Sequence, residues 1–240
     1  MAFTEIFERQ EYKYMMTKNQ KQKMLECIKK HGMNIDCYGR TTIRNIYYDT
    51  DSYRLIRRSI ESPVYKEKLR VRSYERSNDN STVFVELKKK YDHIVYKRRI
   101  PLTNKQAEDW LSGRTERPVD TQIAREIDYF LTFYKTLRPA LFLSYEREAY
   151  YNQNSSNLRI TFDENILSRQ TDMSLKVEAF GNNVLSPELT LMEIKCSGAI
   201  PNWLSKALSK NNLYKTSFSK YGNAYQNTIY PKLREEVIYA

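Results

Sequence analysis

Polar and apolar positions alternate along much of the chain. In residues 66–74 (KEKLRVRSY) Lys66, Lys68, Arg70, Arg72 and Tyr74 fall on one side of an extended backbone, and Leu69 and Val71 on the other. Residues 83–89 repeat the arrangement, with Val83, Val85 and Leu87 opposing Phe84, Glu86 and Lys88, and residues 95–99 add Lys97 and Arg99 on one side. Later segments keep the period: 141–151 groups Tyr145, Arg147 and Ala149, 158–163 opposes Leu158, Ile160 and Phe162 to Arg159, Thr161 and Asp163, and 191–195 opposes Met192 and Ile194 to Glu193 and Lys195. A first strand over 8–14 groups Arg9, Glu11 and Lys13. Seven or more such strands predict an antiparallel sheet that closes on itself.

Helical spacing is the minority pattern. Met24, Leu25 and Ile28 predict a helix over 18–31 that stops at Gly32; 103–111 opens with a capping residue; 121–137 sets Ile123, Ile127, Phe130, Leu131 and Tyr134 along one stripe; and 201–210 begins with Pro201 in its first turn. These four are expected to be packing elements. Residues 77–81 (SNDNS) predict a hairpin connection, and 112–118 and 152–157 are loops by composition. The chain of 240 residues is expected to form a single domain over 1–240.

Charge sharpens the picture. With 40 Lys+Arg against 29 Asp+Glu the net charge is +11, which favours polyanionic partners: nucleic acid, anionic membrane or phosphate-rich small molecules. With 20 Tyr and only six Gly and seven Pro the chain is neither disordered nor collagen-like. Cys27, Cys37 and Cys196 show no CxxC spacing, so neither a disulfide framework nor a zinc site follows. No apolar run is long enough to span a bilayer and Glu5, Glu8 and Arg9 occupy the place of a signal-peptide core, so the expected location is the cytoplasm.

On the polar faces of the strands, cations outnumber Glu11, Glu86, Asp163 and Glu193. A solvated face is usually mixed in sign, because like charges opposite one another across strands destabilise the pair. The pattern alone leaves two arrangements open: a basic face in water, or a closed sheet whose cationic faces line a water-filled interior that awaits a polyanion. No interleaved aromatic and basic platform of the RNP kind is visible, and no nucleic-acid partner is expected.

The motifs occur in a recognisable order: Glu8-Arg9-x-Glu11-x-Lys13-Tyr14, Ile46-Tyr47-Tyr48-Asp49, Lys68-Leu69-Arg70-Val71-Arg72, Phe84-Val85-Glu86-Leu87-Lys88, Lys97-Arg98-Arg99, Tyr145-x-Arg147, Leu158-Arg159-Ile160-x-Phe162-Asp163, Met192-Glu193-Ile194-Lys195 and Ser217-Phe218-Ser219-Lys220-Tyr221. Together they resemble the VTC domain, the polyphosphate-polymerase branch of the triphosphate tunnel (CYTH-like) superfamily. The order of Arg9, Glu11 and Lys13 is closer to that branch than to the thiamine-triphosphatase or adenylate-cyclase branches.

The resemblance implies an α+β fold, an antiparallel β-barrel of about eight strands forming a triphosphate tunnel with helices packed outside. It also implies transfer of the terminal phosphate of ATP to a polyphosphate chain with Mn²⁺ or Mg²⁺. It assigns substrate binding to Arg70, Arg72, Lys88, Lys97, Arg99, Arg159, Lys195 and Ser219, catalysis to Lys13, Arg147 and Lys220, and metal binding to Glu193, helped by Glu11 or Glu86. A tripolyphosphate or nucleoside-triphosphate phosphohydrolase and a non-catalytic polyphosphate-binding module are the competing readings. This sequence carries neither the further phosphoinositide-type domain nor the membrane helices of the eukaryotic polymerase subunits, though a membrane partner is conceivable. Asp163 is read as an orienting group for Arg159 or a neighbouring lysine rather than as a ligand, and His31 and His93 as a helix-terminal and a hairpin residue.

Overall fold

The computed structural model describes residues 9–92, 94–152 and 155–238; Glu8 and His93 lie outside them. The strands are β1 (Arg9–Thr17), β2 (Met33–Asp49), β3 (Tyr65–Ser73), β4 (Thr82–Tyr91), β5 (Ile94–Thr103), β6 (Arg138–Asn152), β7 (Ser155–Arg169), the two-residue β8 (Asn182–Asn183) and β9 (Leu189–Ser197). The helices are α1 (Lys18–Lys30), α2 (Arg54–Ile60), α3 (Asn104–Leu111), α4 (Gln122–Tyr134), α5 (Asn202–Lys210), α6 (Lys220–Ala224) and α7 (Tyr230–Ile238), with a π-helical turn at Tyr225–Ile229. The sheet runs β1-β9-β7-β6-β2-β3-β4-β5, with β8 pairing to β7, and its described ladders are antiparallel. The α+β class and the eight principal strands are those expected.

The chain divides into two compact units, one of residues up to Thr41, Tyr145–Ile166 and Leu185–Phe218, the other of Thr42–Ser144, Leu167–Val184 and the residues from Ser219 onward. In the first, Tyr14, Met16, Ile160, Phe162, Met192 and Ile194 pack beneath α1 and α5 through Met24, Ile28, Leu204 and Leu208. In the second, Leu69, Val71, Val83, Val85, Leu87, Ile100 and Leu102 pack against Trp110 and Leu111 of α3 and Ile127, Phe130 and Tyr134 of α4. Every strand residue in these lists belongs to the apolar half of a period-2 alternation, so the opposite half faces away from the helices.

Local chemistry sets the helix starts. Thr17 and Thr103 close capping boxes with Gln20 and Gln106, and the Thr121 hydroxyl accepts from the Ala124 amide at 3.2 Å. Helix α1 ends at His31, whose ring stacks on Trp203 at 4.2 Å, and Gly32 then takes the left-handed φ of +73°. Residues 112–118 form the expected connection, whereas Asn152 and residues 155–157 belong to β6 and β7 rather than to a loop. Three helices beyond the four expected are α2, α6 and α7.

Helix α2 follows Tyr53 in a left-handed conformation and has no side-chain cap of the usual kind. Its first amides are received instead by Asp49, at the end of β2. The fully buried Asp49 carboxylate accepts from the amides of Thr50 (2.8 Å), Leu55 (2.8 Å) and Ile56 (3.0 Å) and from the Tyr221 hydroxyl (2.9 Å). Burial pushes its pKa up even against these four donors. Asp49 thereby joins β2, α2 and α6. Asp49→Asn keeps the shape but removes acceptor capacity, leaving a buried amide unsatisfied; the expected loss is about 2 kcal/mol, roughly 4–8 °C in thermal midpoint. An unchanged melting curve would show that these donors find other partners.

Candidate functional site

In the second unit, the polar faces of β2 to β5 come into register. One cross-strand row reads Tyr47, Arg70, Glu86, Arg99; the next reads Lys68, Lys88, Lys97; a third reads Asn45, Arg72, Phe84, Pro101. Thus Lys68, Arg70, Arg72, Lys88, Lys97 and Arg99 share a face with the buried Glu86, and Asp49, two residues past Tyr47 on β2, falls on the same side. Three lysines directly opposite one another repel.

Glu86 holds this face together. It is 1% exposed, and its oxygens lie 2.8 and 2.7 Å from Arg70 Nε and Nη2, 2.8 Å from Lys97 Nζ and 3.9 Å from Arg72 Nη1. Burial alone would raise its pKa; Arg70, Arg72 and Lys97 outweigh burial and hold the carboxyl at about 2. Lys97 shows the strain from the other side, since burial and the charges of Arg72 and Arg70 lower its pKa despite Glu86. The guanidinium of Arg70 donates to the Tyr47 hydroxyl at 2.9 Å, and Arg72 Nε donates to Asn45 Oδ1 at 2.9 Å while Asn45 Nδ2 donates to the Leu143 carbonyl at 3.0 Å. Arg99 lies over the Phe84 ring at 4.9 Å. Lys68 Nζ reaches Ser219 Oγ at 3.5 Å, and that hydroxyl accepts from the Gly222 amide, so Ser219 caps α6, the helix that Lys220 opens.

The first unit carries a different balance. Its rows read Glu11, Lys195, Arg159 and Lys13, Glu193, Thr161 across β1, β9 and β7. Arg147 grips Asp163 with two bonds of 2.5 and 2.6 Å and donates to Glu193 at 3.0 Å. Burial would lower the Arg147 pKa, but the charges of Asp163, Tyr145 and Glu193 raise it well above the ordinary value. Lys13 Nζ donates to the Phe218 carbonyl at 2.8 Å and lies 3.6 Å from Glu11 and 4.0 Å from Glu193; Lys195 lies 3.7 and 3.8 Å from the same two carboxylates. Arg159, half exposed, pairs with Asp36 at 3.5 Å. Cations and carboxylates are close to matched here.

The expected site residues fall into two groups, one in each unit. The structure gathers Arg70, Arg72, Lys88, Lys97 and Arg99 around Glu86, with Ser219 reached through Lys68, and it gathers Glu11, Lys13, Arg147, Glu193 and Lys195 in the other unit. The oxygens of Glu86, expected to help hold a metal, face Arg70 and Lys97 in this structure. Asp163 orients Arg147, where the sequence pointed to Arg159 or a lysine. Asn45 joins the cationic face without having been singled out, while Tyr47 and Lys68, which stand in the quoted motifs without an assigned role, join it as well; a polar Asn between Ile43 and Ile46 is the signal that marks Asn45.

Among the described residues no group of three His, Cys, Asp or Glu is placed to hold a metal ion. Glu11 and Glu193 nonetheless fit a hard divalent cation: their carboxylates are close enough to share two ammonium groups, and the buried Thr161 Oγ1, across the ladder from Glu193, has no hydrogen-bond partner in the structure. Mg²⁺ is commonly held by one or two carboxylates with phosphate and water oxygens completing the shell.

Comparison with known proteins agrees with this architecture. A suspected adenylate cyclase from Bacillus halodurans is 15% identical over 93% of this chain and 97% of that one, with a TM-score of 0.56, which shows a shared fold. A second suspected adenylate cyclase, from Vibrio parahaemolyticus, has 12% identity, coverage of 90% and 97% and a TM-score of 0.47, and the PH1819 protein of Pyrococcus horikoshii OT3 has 15%, 95% and 99%, and 0.45. The search of curated proteins finds no match. The VTC domain profile matches residues 8–229, nearly the whole length, and the chain belongs to the VTC domain family.

Proposed function

We propose that this chain binds ATP and polyphosphate and transfers the terminal phosphate of the nucleotide to the polyphosphate end. The observation that carries the reading is the row of Lys68, Lys88 and Lys97 beside Arg70, Arg72 and Arg99 on one sheet face, drawn in around the buried Glu86. Such a face stores repulsion that a chain of phosphates relieves, with arginines offering paired donors and lysines offering point charges. Asn45 accepts from Arg72, and Tyr47 and Glu86 accept from Arg70, so both guanidinium groups are held in place before a ligand arrives.

Phosphoryl transfer asks for positioning and charge neutralisation more than for covalent participation by the protein. Arg70, Arg72, Lys88, Lys97, Arg99, Arg159, Lys195 and Ser219 are assigned to holding phosphates. Lys13 and Lys220 are assigned to offsetting charge that develops on the reacting oxygens. Arg147 is a positioning residue, since its donors go to Asp163 and Glu193. Glu193 and Glu11 would hold Mn²⁺ or Mg²⁺, which when bound neutralises phosphate charge.

The acceptor distinguishes transfer from hydrolysis. A polyphosphate terminus is already ionised and needs no base, whereas water does. Glu86, held at about 2, is a poor base, and Asp163 is committed to Arg147. These facts count against Glu86 and Asp163 as bases, and the reading assigns Glu11, the other candidate to place a water, to the metal; on that assignment synthesis is favoured over the phosphohydrolase reading.

With ATP and Mn²⁺ the purified chain is expected to form long polyphosphate, resolved on a gel; release of free phosphate alone would identify a hydrolase, and tight polyphosphate binding without turnover a binding module. Arg72→Ala is expected to weaken triphosphate binding at least tenfold, consistent with loss of a charged hydrogen-bonding pair of about 1.5–3 kcal/mol. Glu193→Gln is expected to abolish metal-dependent turnover with a smaller change in affinity, and full activity in that variant would remove Glu193 from the metal site.

Acid stability tests Glu86 separately. Because its folded pKa is depressed, its contribution, about 3 kcal/mol, is complete above its unfolded value near 4.5 and is lost as pH falls toward 2. Glu86→Gln should lower the thermal midpoint at pH 7 and flatten the pH dependence between those limits. A variant whose acid unfolding curve overlays that of the parent would contradict the anchoring role.

A further inference from the structure

The β4–β5 hairpin ends in a group of side chains that the phosphate-binding face does not explain. Tyr91, Ile94, Val95 and Tyr96 are all exposed, and Val64, whose carbonyl accepts the Asp92 amide at 3.0 Å, joins them at 65% exposure. The ladder places Tyr65, Tyr91 and Ile94 in one row and Lys66, Lys90 and Val95 in the next, with Tyr96 opposite Lys89. Tyr91, Ile94 and Tyr96 thus emerge on the face that elsewhere packs under helices, and Val95 on the cationic face. Apolar groups leave both sides of the tip, where neither side is covered by the core.

Cations surround this tip. Lys66, Lys89, Lys90 and Arg98 flank it within a few residues along the three strands, with Asp92 as the acid at the turn. Farther up the outer face, Glu126 of α4 lies 3.9 Å from Lys89 and 4.0 Å from Arg98, and one turn along the same helix the exposed rings of Tyr129 and Phe133 stack at 6.1 Å.

We propose that this hairpin tip docks on an anionic phospholipid surface, the apolar side chains entering the boundary between headgroups and acyl chains while the lysines and Arg98 meet lipid phosphates. Two features of the patch choose this occupant. A free polyphosphate or a nucleic-acid backbone would use the cations and leave Tyr91, Ile94, Val95 and Tyr96 in water. A second copy of the chain would cover the apolar groups but set one basic collar against another in an isologous contact. An anionic bilayer satisfies both requirements at once, since each basic residue near such a surface and each buried methylene adds to binding. Among the described residues no helix is long and apolar enough to cross a membrane. The proposal is independent of the polymerase reading, because it uses neither the ATP nor the metal residues.

The test is flotation of the full chain with vesicles of phosphatidylcholine alone or with about one-third phosphatidylserine, a content that gives the surface a potential of tens of millivolts. Binding to the anionic vesicles should exceed binding to the neutral ones by at least tenfold and fall in 0.5 M salt. Ile94→Ser combined with Val95→Ser, two exposed positions, should reduce binding to anionic vesicles about tenfold, as expected from loss of partly buried apolar side chains, while leaving the melting curve and tripolyphosphate affinity unchanged. Equal binding to both lipids, no binding to either, or full binding by the double variant would overturn the proposal. So would self-association of the parent chain, measured by sedimentation, that the double variant abolishes, because the tip would then serve a protein contact.

Discussion

The constraint that most shapes this protein is the cost of placing like charges across a β-ladder. Lys68, Lys88 and Lys97 face one another on adjacent strands, with Arg70, Arg72 and Arg99 in the neighbouring rows. Water screens such repulsion poorly where the groups are half buried. Glu86 meets part of the cost by receiving Arg70 and Lys97 directly and Arg72 at longer range. The three lysines still stand opposite one another on adjacent strands, and the proposed binding of a phosphate chain rests on that row.

The first unit shows what the structural alternative looks like. There, Glu164 receives Lys18 at 2.7 Å, Lys21 at 3.1 Å and Arg40 at 3.2 Å, while Lys21 and Arg40 also reach Glu148 and Glu146. Burial would raise the Glu164 carboxyl, but the bonds from Lys18 and Thr190 and the charge of Lys21 hold it at about 2. Each charge in that cluster has a partner of opposite sign, and nothing is left for a ligand to neutralise. The group around Glu193 lies between these extremes: Arg147 is locked by Asp163, while Glu11 and Glu193 share Lys13 and Lys195 at distances of 3.6 to 4.0 Å, long enough for a stronger cation to compete.

Much of this was visible in the sequence because it depends on local period. The two faces of β3, β4 and β5 follow from strict alternation, and α1, α3 and α4 begin at the threonines that cap them. The long strand β2 was less legible, since residues 33–42 carry Asp36, Gly39 and Arg40 with no clean alternation. Helix α2 was hidden for a different reason: its amides are capped by Asp49 from the preceding strand and not by a residue at its own start. The partners of Arg147 and Glu86 were likewise beyond reach, because a one-dimensional pattern shows which face a charge occupies but not which opposite charge stands on the next strand.

The central claim is that the Glu86-anchored face is an anion site whose stored repulsion is relieved on binding. Titration of tripolyphosphate into the protein while the thermal midpoint is followed tests it most directly, since a ligand confined to the native state stabilises by about 2.7 kcal/mol at one hundred times its dissociation constant. The predicted result is a midpoint that climbs with tripolyphosphate and far exceeds the effect of chloride at equal ionic strength. A midpoint that responds to the two salts alike would mean that these cations only face solvent, and would contradict it.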